Sequence, residues 1–238
     1  MRPRRALGLS VLYLGVVLAV DLQTNSASAD RVGLFKSKDG VSVRYTVVTP
    51  FPMVKDKDYP AILAFPGGTQ DSVAVAAVSE YWGAEARKRG YLVFLPEAPK
   101  GYRFFQRGVF LAPDLIEHFF QKYKIKGGKL HLAGNSNGGL SAFRIVLKNR
   151  KRTASLTVFP GFPTLTRDFY RMTRLKDIKV NLFVNEADER WRSMTDFTYE
   201  RLKALGVDVK YTKFKDDGHK VTALSGPESK LLFDAIER

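Results

Sequence analysis

The chain has 238 residues, 45% of them hydrophobic, 12% aromatic and 26% charged, with a formal net charge of +15. That apolar content supplies one sizeable core and excludes disorder, and the length points to one domain. Cysteine is absent, which excludes disulfides, thiolate metal sites and cysteine nucleophiles, and only His118, His131 and His219 are available for histidine chemistry.

Residues 1–29 read as a secretory signal. Arg2, Arg4 and Arg5 precede an apolar run over 6–20, and Ala27-Ser28-Ala29 sets small side chains at a cleavage position before Asp30. The run is short for a membrane span, so an uncleaved anchor is the lesser reading. The expectation is an exported protein, periplasmic or secreted. Residues 30–238 then form a single α/β domain that keeps most of the positive charge.

Beyond the signal, short apolar strands alternate with longer helical stretches. Residues 31–35 and 41–48 flank Asp39-Gly40 and read as a hairpin, the second arm alternating apolar with polar. Residues 61–65 make a buried strand ending in Pro66-Gly67-Gly68. A helix follows over 72–89, closed by Gly90, and then a buried strand over 91–95 stopped by Pro96. Residues 113–124 open with proline and set Leu115, Ile116, Phe119 and Phe120 on one helical face. Strands over 129–133, 155–159, 180–184 and 207–214 alternate with helices over 138–150, 195–205 and 227–238. This order predicts right-handed crossovers and a mainly parallel sheet with helices on both faces, led by an antiparallel hairpin.

In such sheets the reactive groups stand at the carboxyl ends of the strands. After residues 129–133 comes Gly134-Asn135-Ser136-Asn137-Gly138-Gly139, directly before a helix. A G-x-S-x-G turn in that context lifts a serine hydroxyl above the sheet on a strained backbone, and its glycines admit neighbouring chain. Ser136 is the candidate nucleophile. It needs a base, and His219 lies in the loop after the strand ending at Phe214. His118 falls in a helix and His131 in a buried strand, so both read as structural. The imidazole needs a carboxylate partner. Asp188, after the strand over 180–184, is the choice, with Glu186 and Glu189 as competitors in the same loop. The oxyanion needs two donors. The backbone N–H groups of Asn137, after the nucleophile, and of Gly68, after the strand over 61–65, are the candidates.

The order Ser136, Asp188, His219 resembles the α/β-hydrolase superfamily, and within it the small esterases of the dienelactone hydrolase and polyhydroxybutyrate depolymerase kind. The resemblance covers nearly all of residues 41–238. It rests on residues 65–70 and 90–96, on the Ser136 turn, and on the loops of Asp188 and His219. It implies a serine esterase with Ser136 as nucleophile, Asp188 as acid, His219 as base, and Gly68 and Asn137 as oxyanion donors. Three positions depart from the family pattern: Pro66 where relatives often carry histidine, Asn185 where a glycine usually stands before the acid, and Asn135 within the elbow.

Tyr102, Phe104, Phe162 and Trp191 stand beyond strand ends and are the expected substrate contacts, with Arg103 or Arg107 able to meet an anionic group. No metal or organic cofactor is expected. The basic clusters at Lys148, Arg150, Lys151 and Arg152, and at Arg167, Arg171, Arg174 and Lys176, suggest at most weak contact with an anionic envelope surface. No aromatic platform or groove-reading helix supports nucleic-acid binding. The partner expected is therefore a small or polymeric ester. A peptidase or polyester depolymerase on the same residues is the alternative among enzymes. A catalytically silent, basic envelope-binding protein is the alternative of another class.

Overall fold

The computed structural model describes residues 30–215, 218–219 and 222–238, so the signal-like segment lies outside the described residues. The chain runs β1 (Arg31–Lys36), β2 (Ser42–Val48), β3 (Ala61–Phe65), α1 (Ser72–Arg89), β4 (Leu92–Pro96), α2 (Ala112–Lys122) and β5 (Leu130–Gly134). It continues through α3 (Asn137–Asn149), β6 (Thr153–Val158), α4 (Thr166–Tyr170), β7 (Lys179–Asn185), α5 (Glu189–Ala204), β8 (Val209–Phe214) and α6 (Lys230–Glu237). The strands form one sheet in the order β1-β2-β4-β3-β5-β6-β7-β8. β1 and β2 are antiparallel, β2 meets β4 antiparallel, and every pair from β4 to β8 is parallel.

Local chemistry explains the elements. The β1–β2 hairpin closes with Ser37 N–H donating to the Val41 carbonyl and Gly40 N–H to the Ser37 carbonyl, both at 2.9 Å, and Gly40 adopts φ 80°. α1 starts where the Asp71 carboxylate accepts from Ala74 N–H at 3.0 Å, and it stops at Gly90 in the left-handed region. The parallel strands are apolar on both faces because helices cover both. Leu63, Leu92, Phe94 and Leu132 face α2, α3 and α5. Ile62, Ala64, Val93 and Leu95 face α1 and α6. That alternation is the period of two that a strand imposes.

Three element boundaries differ from expectation. α5 begins at Glu189, ahead of the predicted Thr195. Its first turn, Glu-Arg-Trp-Arg, carries charge instead of an apolar stripe, and it is fixed by Arg192 N–H donating to the Asp188 carbonyl at 2.7 Å. The predicted final helix opens as a tighter 3-10 turn, Gly226–Ser229, before α6 proper. α4, only five residues long, has no periodicity to announce it. Both structural histidines sit within the fold. His118 Nε2 pairs with the Tyr45 hydroxyl at 2.9 Å, and His131 Nδ1 with the Ser155 hydroxyl at 2.8 Å.

The pairing register aligns the strand ends. Phe65 lies beside Gly134, Gly134 beside Val158, and Asn185 beside Phe214. The loops that follow β3, β5, β7 and β8 therefore leave one edge of the sheet together.

Candidate active site

Ser136 stands between β5 and α3 with φ 54° and ψ −122°, a conformation that side-chain-bearing residues rarely adopt. The surrounding chain holds it there by approaching too closely for a larger neighbour. A Cβ on Gly134 would stand 2.2 Å from the Gly138 carbonyl oxygen, and one on Gly138 would stand 1.9 Å from that of Phe65. Ser136 N–H donates to the Pro160 carbonyl at 3.0 Å, which ties the turn to the loop after β6.

His219 Nε2 lies 2.7 Å from Ser136 Oγ, and His219 Nδ1 is hydrogen bonded to Asp188 Oδ2. The Asp188 side chain is largely buried, whereas Glu186 and Glu189 are exposed, so of the three acidic residues in that loop Asp188 is the partner of the ring. Asn185 shapes the loop that follows β7. It is fully buried, and its Oδ1 accepts from Ala187 N–H at 3.1 Å, an Asx turn that folds the chain back toward Asp188.

The loop after β3 packs against the start of α3. Asn137 Nδ2 donates to the Gly68 carbonyl at 2.8 Å, and among the described residues the backbone N–H groups of Gly68 and Asn137 are taken by no protein acceptor. The N–H of Asn137 belongs to the first turn of a helix, where no intrahelical acceptor exists. Gln70, which sequence reasoning did not single out, supports this loop beside Pro66. Its side chain is fully buried on a left-handed backbone with φ 61°. Nε2 donates to the Pro66 carbonyl and to Ser141 Oγ, both at 3.0 Å, and Oε1 accepts from Phe104 N–H at 2.8 Å. Ser141 Oγ donates in turn to the Asn137 carbonyl at 2.8 Å. One side chain thus links the β3 loop, α3 and the segment after β4.

The expected substrate contacts divide into two groups. Trp191 packs on His219 with ring centroids 4.7 Å apart, and Phe162 packs behind it on Trp191 at 5.0 Å, although neither lines the cleft at Ser136. Phe104 is fully buried against Phe65 at 5.0 Å, a core residue held inward by the bond from its N–H to Gln70. Tyr102 is also displaced from its expected role. It is half-buried on the main core, with the Arg107 guanidinium over its ring at 5.1 Å, and like Phe162 and Trp191 it does not line the cleft at Ser136. The wall of that cleft comes instead from α1. Among the described residues no group of three His, Asp or Glu side chains is placed to hold a metal ion, and no helix is long and apolar enough to cross a membrane.

No protein-family model and no curated protein sequence matches the chain. Solved structures do. A thermostable esterase superposes with a TM-score of 0.70 at 17% identity, over 87% of this chain and 60% of that one. An S-formylglutathione hydrolase from Agrobacterium tumefaciens gives 0.67 at 17% identity, over 88% and 95%. An acylaminoacyl peptidase from Pyrococcus horikoshii gives 0.69 at 14% identity, over 88% and 41%. The chain therefore spans less than two thirds of the length of the thermostable esterase and less than half that of the peptidase. Its eight-stranded sheet with an antiparallel start and helices on both faces is the fold of the α/β-hydrolase superfamily, shared with these esterase and peptidase structures.

Proposed function

We propose that this chain is a serine hydrolase that cleaves carboxylic esters through a covalent acyl-enzyme. The observation that carries the reading is the 2.7 Å approach of His219 Nε2 to Ser136 Oγ, with the opposite ring nitrogen on Asp188. Asp188 holds Nδ1–H and so leaves Nε2 as the acceptor of the serine proton. Ser136 Oγ attacks the carbonyl carbon as His219 takes that proton. The oxyanion forms against the N–H groups of Gly68 and Asn137, each worth roughly 3 kcal/mol in the transition state. His219 then returns the proton to the leaving alcohol, the C–O bond breaks, and the acyl group stays on Ser136. Water repeats the cycle, giving its proton to His219 and releasing the acid. No step draws on a metal or an organic cofactor. The signal-like segment supports action outside the cytoplasm, and the basic clusters support weak contact with an anionic envelope surface.

Turnover of p-nitrophenyl acetate by wild type and by Ser136→Ala tests the reading. The expected result is a loss of about 10⁴-fold or more in kcat, together with loss of fluorophosphonate labelling. Wild-type turnover in the Ser136→Ala chain refutes it. The structural likeness to an acylaminoacyl peptidase motivates a second reading, amide hydrolysis by the same groups. A higher kcat/KM on acyl-peptide anilides than on p-nitrophenyl esters selects it.

A further inference from the structure

We infer that the cleft beside Ser136 is a binding site for a linear, uncharged apolar chain laid along the flank of α1, a reading that rests on the hydrolase assignment for its use in turnover. The cleft has a volume of about 560 Å³ and opens directly onto Ser136 and His219. Its wall is one face of α1, formed by Val73, Ala74, Ala77, Val78 and Tyr81. Those positions recur at the spacing that stacks side chains on one helical stripe, and from Val73 to Tyr81 they extend for roughly 12 Å at 1.5 Å per residue.

The character of the wall selects the ligand. Every side chain from Val73 to Val78 that faces the cleft is aliphatic. The floor is Phe159, nearly buried, with its ring 5.0 Å from that of Tyr81. Val73 is 76% exposed, an apolar side chain that folding leaves in water and a bound chain would cover. Ala74 and Ala77 are the narrow points of the wall in side-chain volume, so they make the channel. At the mouth stands the Asp71 carboxylate, which accepts from Thr69 Oγ1 and from Ala74 N–H. These bonds favour its ionised form, which disfavours a chain ending in a carboxylate.

Binding is measured without turnover by calorimetry of the full-length Ser136→Ala chain with methyl ketones from butanone to octanone. The expected result is a Kd that tightens two- to fourfold per added methylene, full withdrawal from water setting the upper figure. Ala77→Trp in the same background fills the channel and flattens that series. Ala76→Trp, exposed on the same helix but outside the cleft, leaves the series intact and controls for effects on folding. A Kd independent of chain length overturns the inference, as does equal loss in the Ala76→Trp and Ala77→Trp chains. Ketone binding that follows the expected pattern in a protein whose wild type cleaves neither esters nor acyl-peptide anilides upholds the channel and overturns the hydrolase reading instead.

Discussion

Gln70→Ala is the sharpest test of how the β3 loop is held. The substitution leaves the Phe104 N–H and the Pro66 carbonyl without partners, while Ser141 Oγ keeps its bond to the Asn137 carbonyl. Each buried group so orphaned costs ~1–3 kcal/mol, and the left-handed backbone gives alanine no relief. The expected loss is about 3 kcal/mol in urea unfolding, or roughly 6–12 °C in Tm for a domain of this size. Because the same contacts position Gly68 and Asn137, kcat on p-nitrophenyl acetate falls by about 10²-fold at a temperature where the protein remains folded. Gln70→Glu keeps an acceptor for Phe104 N–H, but its ionised carboxylate is buried without a cation and faces the Pro66 carbonyl, so at neutral pH it is at least as destabilised as Gln70→Ala. A loss under about 1 kcal/mol with unchanged kcat refutes the bracing role.

Two further outcomes follow from single residues. Gly138→Ala brings a methyl to 1.9 Å from the Phe65 carbonyl oxygen, and the expected result is a destabilisation of about 3 kcal/mol by urea unfolding with loss of fluorophosphonate labelling. Burial, with a smaller contribution from Lys179, holds the His131 ring at about 4 against its usual 6.5. The unfolded chain therefore gains a proton in that interval that the folded chain does not. The stability tied to His131 is whole above about pH 6.5 and drops by about 3 kcal/mol by pH 4. Urea midpoints measured across that interval show a shallower slope in His131→Gln, and an unchanged slope rules His131 out as the cause.

The strand ends were legible because turn chemistry marks them. Asp39-Gly40, Pro66-Gly67-Gly68, Gly90 and Pro96 each punctuate an element where the chain bends. The Ser136 turn was equally plain, since its glycines answer to backbone contacts shorter than any Cβ permits. Gln70 left no such mark, because a glutamine in a loop gives no local sign that tertiary packing will bury it. The α1 wall was obscured by abundance. Val75, Val78, Tyr81, Trp82 and Ala86 are buried, but Val73 and Ala77 are equally apolar and face outward, so no single stripe declares which side meets the cleft. Phe104 is obscured for a related reason. In a loop no periodicity separates an aromatic ring turned inward from one offered to a ligand, and only its packing on Phe65 decides.

The two partners in the serine–imidazole contact are anchored very differently. Ser136 follows β5, which is flanked by β3 and β6 deep in the sheet, whereas His219 follows β8, which among the described residues is a border strand paired with β7 alone. Border elements open at lower free energy than interior ones. For the proposed serine hydrolase, the expected outcome is that fluorophosphonate labelling is lost at a lower urea concentration than the amide protection of the interior strands.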